Sequence, residues 1–177
     1  MSAKLDSLFA ELVEQQAAKR LPPVHLWQPE NVGRIDISID AEGRWSHDGD
    51  PIQRQPLIDL FATILRLDDG QHYLVTPHEK LAIEVADAPF VVVDFAVEGQ
   101  GTDQQCIVTT NVGDHCLLDT DHPVVVRDGV PYVDIRGGLL AKFSRNAFYQ
   151  LVEIGAAEAD EWIVYSFGER INLGSIT

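Results

Sequence analysis

Four cations stand out by type and placement in this acidic chain: Arg54, Lys80, Arg136 and Arg145. Two of them occupy matching places in two similar stretches. Ile52 to Phe61 is echoed by Phe143 to Val152, and one constant offset pairs Arg54 with Arg145, Gln55 with Asn146 and Leu60 with Leu151. Both arginines fall at the opening turn of a predicted helix. A cation there opposes the positive end of the helix macrodipole, at a cost of about 0.3–1 kcal/mol. Something must offset that cost. One candidate is a carboxylate of the chain itself. The other is a bound anion, gripped by the guanidinium fork together with free N–H groups of the helix start. Lys80 and Arg136 add positive charge to the second reading. Trp45 and Tyr132 are the aromatics that would line the pocket, unless, as is commoner beside hairpins, they belong to the core.

Other residue groups suggest chemistry less specifically. Thr76-Pro77-His78-Glu79 fits an S/T-x-x-E capping box with proline at the first helical position, which makes Thr76 and Glu79 structural. His78 and Glu79 are neighbours on a turn and do not face each other, so a catalytic pair is a weak reading. Asp114-His115-Cys116, with Asp119, Asp121 and His122, contains metal-ligand types at a spacing that matches no zinc or calcium pattern. Leu118 to His122 reads better as a hairpin turn. A Cys–His nucleophilic pair can be drawn from either cysteine, which is why it carries little. No nucleophile elbow, P-loop or dinucleotide fingerprint is present. The sequence predicts no catalytic residue, no metal and no cofactor.

The elements that must position these residues follow from periodicity. Leu5, Leu8, Phe9, Leu12 and Val13 predict an amphipathic helix over 4–18, ended by Pro22-Pro23. Ile35, Ile37 and Ile39 alternate with polar residues as a half-buried strand does. Turns at Asp40 to Gly43 and Asp48-Gly49 bound a returning strand. Leu57, Leu60, Phe61, Ile64 and Leu65 predict a helix from Arg54 to Arg66, stopped by Asp69-Gly70, with a strand from His72 to Thr76. The second copy runs from Pro123 through Asp128-Gly129, Tyr132 to Ile135 and a helix carrying Phe148, Leu151 and Val152, to Trp162 to Ser166. Between the copies, Leu81 to Val85 alternates, and Phe90 to Val97 reads as a strand buried on both faces.

The expected fold is therefore α+β and strand-rich, with two small subdomains built around a repeated β-β-α-β unit. An N-terminal helix and arm would occupy 1–22, the first subdomain 23–79 and a larger second one 80–177. A chain of 177 residues buries roughly 70% of its unfolded surface, so it needs no disulfide or metal. A net charge of −15 repels phosphate backbones and anionic lipid, which excludes nucleic acid polymers and membrane surfaces as partners. No export signal or apolar span of membrane length is evident, so Cys106 and Cys116 are expected as reduced thiols in a bacterial cytoplasm.

Several motifs, in order, resemble the bacterial domain-of-unknown-function 1285 family. They are Trp27-Gln28-Pro29, Asp48 to Arg54, Leu74 to Lys80, Asp87-Ala88-Pro89-Phe90, Thr110 to Asp114, Pro131 to Arg136 and Arg145 to Tyr149. The resemblance runs from Trp27 almost to the C-terminus. It implies a two-part α+β fold with repeated motifs and a suggested part in intracellular signalling. It supplies no catalytic residues. His78 departs from a small aliphatic residue, and Ser46-His47 from an aromatic pair, so ligand preference here would differ.

The function expected from sequence is a soluble ligand-binding or regulatory protein, holding a small anionic metabolite or nucleotide in a cleft between the subdomains. A small hydrolase using His78, Glu79 or Cys116 and a protein–protein adaptor are the alternatives. Sequence leaves the oligomeric state open.

Overall fold

The computed structural model describes residues 21–176, so the helix expected over 4–18 lies outside the described residues. The chain divides into two compact units, the first ending at Asp87 and the second beginning at Ala88. Leu81 to Val85, expected in the second subdomain, therefore belong to the first. The reason is pairing, since that strand is hydrogen-bonded on both sides within the first unit's sheet.

In the first unit the strands are β1 (Asn31–Ile39), β2 (Trp45–His47), β3 (Asp50–Pro51), β4 (Leu65–Asp68), β5 (Gln71–Val75) and β6 (Glu79–Val85). They form one sheet in the order β3-β2-β1-β6-β5-β4. Helix α1 (Gln55–Thr63) follows β3 and buries Leu57, Ile58, Leu60, Phe61 and Ala62. Ile35, Ile37, Ile39, Leu74, Leu81 and Ile83 are also buried, and Trp45 stacks on Phe61 at 6.2 Å between ring centroids. The predicted helix ran on to Arg66. It stops at Thr63 because Leu65 and Arg66 pair with Leu74 and Tyr73 across a hairpin. Asp69 and Gly70 turn that hairpin with φ of 50° and 81°, the paired positive values that match strand twist. Asp-Gly here turns a hairpin and does not end a helix.

The second unit holds β7 (Phe90–Glu98), β8 (Gln105–Thr110), β9 (His115–Leu117), β10 (Val124–Arg127), β11 (Val130–Arg136) and β12 (Leu139–Phe143). Their sheet order is β10-β11-β12-β7-β8-β9. Helix α2 (Arg145–Glu153) and a second sheet of β13 (Ala156–Glu158), β14 (Glu161–Ser166) and β15 (Glu169–Ser175) follow. The phenylalanine-valine run of β7 is buried on one face only, with Val93 and Val97 exposed. A bulge between Val92 and Asp94 shifts the register there, and the outward side chains past it meet no covering layer.

The two six-stranded sheets are similar. Counted from β1 and from β7, each runs third-second-first-sixth-fifth-fourth, and in each the first and sixth strands pair in parallel. Helix α1 links the third and fourth strands of its sheet, whereas α2 follows the sixth strand of the other. What the helices share is their sequel, three antiparallel strands in each case. The fold is α+β and strand-rich, with two helices and three sheets among the described residues.

Helix α2 is fixed at both ends. The Ser144 hydroxyl accepts from the Ala147 N–H at 3.2 Å, an N-cap. Beyond the C-terminal end, Trp162 Nε1 donates to the Val152 carbonyl at 3.0 Å, passing over Gly155. A Cβ at Gly155 would overlap Trp162 Nε1 and lie 3.0 Å from the Ile163 carbonyl oxygen. Gly155→Ala should therefore destabilise the second unit by about 2 kcal/mol through overpacking, measured as a lower denaturant midpoint. A midpoint equal to that of wild type would contradict this packing.

Candidate functional site

The first unit carries a groove of about 520 Å³ at one end of its sheet. Its walls come from β1 and the residue after it (Arg34, Ser38, Ile39 and Asp40), the β4–β5 hairpin (Gly70, Gln71 and His72) and the end of β6 with the residue that follows (Ile83 to Ala86). It opens because two strands part. The β5–β6 ladder ends at the pair Tyr73–Ala82, while β6 continues beside β1 through Ser38–Glu84 and Ile39–Val85. Gln71 bridges the start of the gap, its Nε2 donating to the Ile83 carbonyl at 2.8 Å and to that of His72 at 2.9 Å.

Charge in the groove is paired. Arg34 Nη2 lies 3.1 Å from Glu84 Oε1, and Arg44 Nε lies 2.8 Å from Asp40 Oδ2. Burial pushes the Asp40 carboxyl up, but hydrogen bonds from Arg44 and the Glu42 N–H outweigh it and hold the group below the ordinary range. Burial also lowers the pKa of His72, so its imidazole is neutral at pH 7 and can both donate and accept. The groove thus presents dipoles over an apolar floor and little net charge.

The cations singled out in the sequence do not line it. Lys80 Nζ meets Asp68 Oδ2 at 2.7 Å and stands 4.2 Å from the centre of the Tyr73 ring. The same carboxylate takes Arg66, whose Nη1 also donates to the Val24 and Trp27 carbonyls at 2.6 and 2.8 Å. Lys80 therefore has a structural role that sequence did not suggest. Arg136 Nη1 pairs with Asp114 Oδ2 at 2.9 Å and lies over the Phe90 ring. Arg54 is exposed at the N-cap of α1. Arg145 is exposed at the first position of α2 and engages no carboxylate among the described residues. Trp45 and Tyr132 are buried. Arg54, Lys80 and Trp45 belong to the first unit, and Arg136, Arg145 and Tyr132 to the second.

The expected capping box is a turn between strands. Thr76 Oγ1 accepts from the Glu79 N–H at 3.1 Å, the bond a capping box would make, and from the His78 N–H at 3.2 Å. Glu79 then begins β6, not a helix. Thr110 does the same between β8 and β9, accepting from Val112 and Asp114. Both threonines are fully buried. Leu118 to His122 is a turn, with Asp119 accepting from the N–H groups of Asp121 and His122. It is not the hairpin expected, because the strands it joins, β9 and β10, lie at opposite edges of their sheet. Among the described residues no group of three or more His, Cys, Asp or Glu could hold a metal ion.

Residues 22–88 match the family model "Domain of unknown function (DUF1285), N-terminal domain", and residues 89–173 match its C-terminal counterpart. The chain belongs to the DUF1285 family. The crystal structure of a DUF1285 family protein from Silicibacter pomeroyi DSS-3 is 38% identical, with a TM-score of 0.84, over 93% of this chain and 95% of that one. A second, from Shewanella baltica OS155, is 29% identical, with a TM-score of 0.56, over 66% of this chain and 90% of that one. No curated protein matches. The groove lies wholly in the DUF1285 N-terminal domain, and the junction between the two family domains falls next to the junction between the compact units. No helix among the described residues is long and apolar enough to cross a membrane.

The C-terminal domain holds both cysteines, and both are buried. Burial and the neighbouring carboxylates of Asp114 and Asp119 push the Cys116 thiol up to about 11, while its Sγ approaches the Ile135 carbonyl at 3.8 Å. A thiol in that state is a poor nucleophile at neutral pH. Ellman's reagent at pH 7.5 should label neither cysteine quickly in the folded protein and both in denaturant. Fast native labelling of Cys116 would revive the hydrolase reading.

Asp68 sets a second expectation. Burial raises its pKa, but hydrogen bonds and charge from Arg66 and Lys80 outweigh burial and leave it lowered. A lowered carboxyl contributes stability that is complete above the unfolded value of about 3.9 and is lost as pH falls through the folded value. Wild type should lose that contribution below about pH 4, while Asp68→Asn, weaker by about 2 kcal/mol at pH 7, should lack this part of the slope. Urea unfolding at stepped pH measures both.

Proposed function

We propose that this is a non-catalytic ligand-binding protein with a regulatory role, and that its ligand is an uncharged polar molecule held in the groove of the N-terminal domain. The observation that carries this reading is the gap between β5 and β6, where backbone, Gln71, neutral His72 and Ser38 surround an apolar floor. Its volume falls within the 300–1,000 Å³ of ordinary ligand sites. Paired charges favour dipolar over anionic ligands. A small anion bound by the four cations loses support, because Lys80 and Arg136 already serve carboxylates. Arg145 keeps the anion reading alive only at the start of α2. The cytoplasm is the compartment that fits buried free thiols, and an intracellular regulatory role goes with it.

The finer architecture belongs to the same proposal. The offset that aligns Arg54 with Arg145 also lays α1 with β4–β6 over α2 with β13–β15. We read this as one duplicated unit of strands, helix and strands.

A heteronuclear NMR titration of labelled protein against a panel of amides, polyols, amino acids, nucleotides and carboxylates tests the ligand reading. An uncharged member should move the amide signals of Gln71, His72 and Ile83 to Ala86. Its affinity should fall roughly tenfold in His72→Ala and in Gln71→Ala, each of which removes a polar contact. Saturable shifts confined to residues outside the groove would overturn the site. So would binding unchanged in both variants.

A further inference from the structure

We infer that the ligand taken up by this groove is a segment of extended polypeptide from a partner protein, paired by its main chain with the end of β6. The inference rests on the groove reading above and goes beyond it by naming the ligand class. Its basis is the phase of the β6 backbone. Ala86 N–H donates to the Ile39 carbonyl at 2.9 Å, which fixes the residues of β6 that face β1. Residues alternate along a strand, so Ile83 and Val85 turn their N–H and C=O groups away from β1. Gln71 confirms this for Ile83, since its side-chain amide reaches the Ile83 carbonyl from the β5 side. At Val85 the β5 ladder has already stopped. One residue of a central strand is thus left facing a groove in place of a neighbour, and the groove runs along it.

Such an edge is satisfied by a strand, and added strands are a recurring mode of peptide recognition. Main-chain amides are neutral dipoles, the chemistry that the paired charges of Arg34–Glu84 and Arg44–Asp40 leave room for. Alternate side chains of the segment would meet His72 with Ile83 on one side and Ser38 with Glu84 on the other. The Gln71 amide already imitates a strand hydrogen bond, so it marks the level at which an added segment begins. A peptide with an uncharged, β-prone centre fits, and one with charged side chains at its centre does not.

The test uses the full chain and a defined probe, the acetylated and amidated pentapeptide Thr-Val-Thr-Val-Thr. Its titration should shift the amides of Gln71, His72 and Ile83 to Ala86, and slow hydrogen exchange at Val85. The same peptide with its central amides N-methylated keeps its side chains but loses main-chain donors, and should bind at least about tenfold more weakly. Val85→Pro removes the N–H that faces the groove without touching a β1 bond, and should weaken the parent peptide to a similar extent. Val85→Ala should bind like wild type. If Val85→Pro fails to fold, the N-methylated peptide reads the same contact in wild type. Equal binding of the methylated peptide overturns strand pairing. If the peptide moves nothing while a small molecule from the panel still shifts Gln71 and His72, this inference falls and the groove reading stands. If nothing moves those residues, both fall.

Discussion

The parallel pairing of β1 with β6 is the constraint on which the first unit depends. It joins a strand from the start of the unit to one from its end, with α1 and four strands between them in the chain. Three antiparallel strands on either side would be two separate meanders without it, each with an open edge and half a core. With it, Ile35, Ile37 and Ile39 lie beside Leu81 and Ile83, and α1 closes over one continuous apolar face. The same device recurs where β12 meets β7 in the second unit. Parallel pairs need long crossovers, so each sheet commits most of its unit's length to a single junction.

That junction also bears on where the proposed site has room. The β1–β6 pairing jumps register between Arg34 and Ser38, three residues of β1 passing one of β6. The extra residues belong to β1 and bulge out of the pair, while β6 stays beside β1 as far as Val85, beyond the last β5–β6 pair at Tyr73–Ala82. A sheet whose strands ended together would have no groove there. Gln71 is the local adjustment, its side chain giving the Ile83 carbonyl a donor where the β5–β6 ladder has ended. Left without one, a half-buried carbonyl would cost about 1–3 kcal/mol. The site is a consequence of unequal strand lengths, held open by one amide.

Much of the frame was legible because short-range chemistry dictates it. The alternation of Ile35, Ile37 and Ile39 put Arg34, Ser38 and Asp40 on the opposite face, which is where the groove uses them. Asp48-Gly49 and Asp128-Gly129 turn hairpins as read. The errors have a common source in motifs whose local bond serves two structures. Thr76 accepts the Glu79 N–H in a capping box and in a tight strand turn alike, and only the partner strand beyond Glu79 decides between them. Ile64 and Leu65 suit a helical stripe as well as a strand start, and the hairpin partner Leu74 claims Leu65. Lys80 looked unoccupied because Asp68 is brought to it by sheet pairing, not by proximity in sequence. The groove itself was illegible, since no local pattern records where one ladder ends and its neighbour continues.

The acidity of the chain looks at first like a reason to seek a site in its rare cations. The structure uses those cations the other way. Arg66 and Lys80 converge on Asp68, and Arg66 also ties the Val24 to Trp27 segment to β4 through two carbonyls. Arg136 holds Asp114 beside the turn built on Thr110. In a chain of net charge −15, the half-buried carboxylates of Asp68 and Asp114 each take a guanidinium or ammonium, because an unpaired charge there would cost several kcal/mol. The positive charge of Arg66, Lys80 and Arg136 is thereby consumed in holding strands and arms in place. The proposed site draws instead on backbone and neutral side chains, which gather where β6 outruns β5.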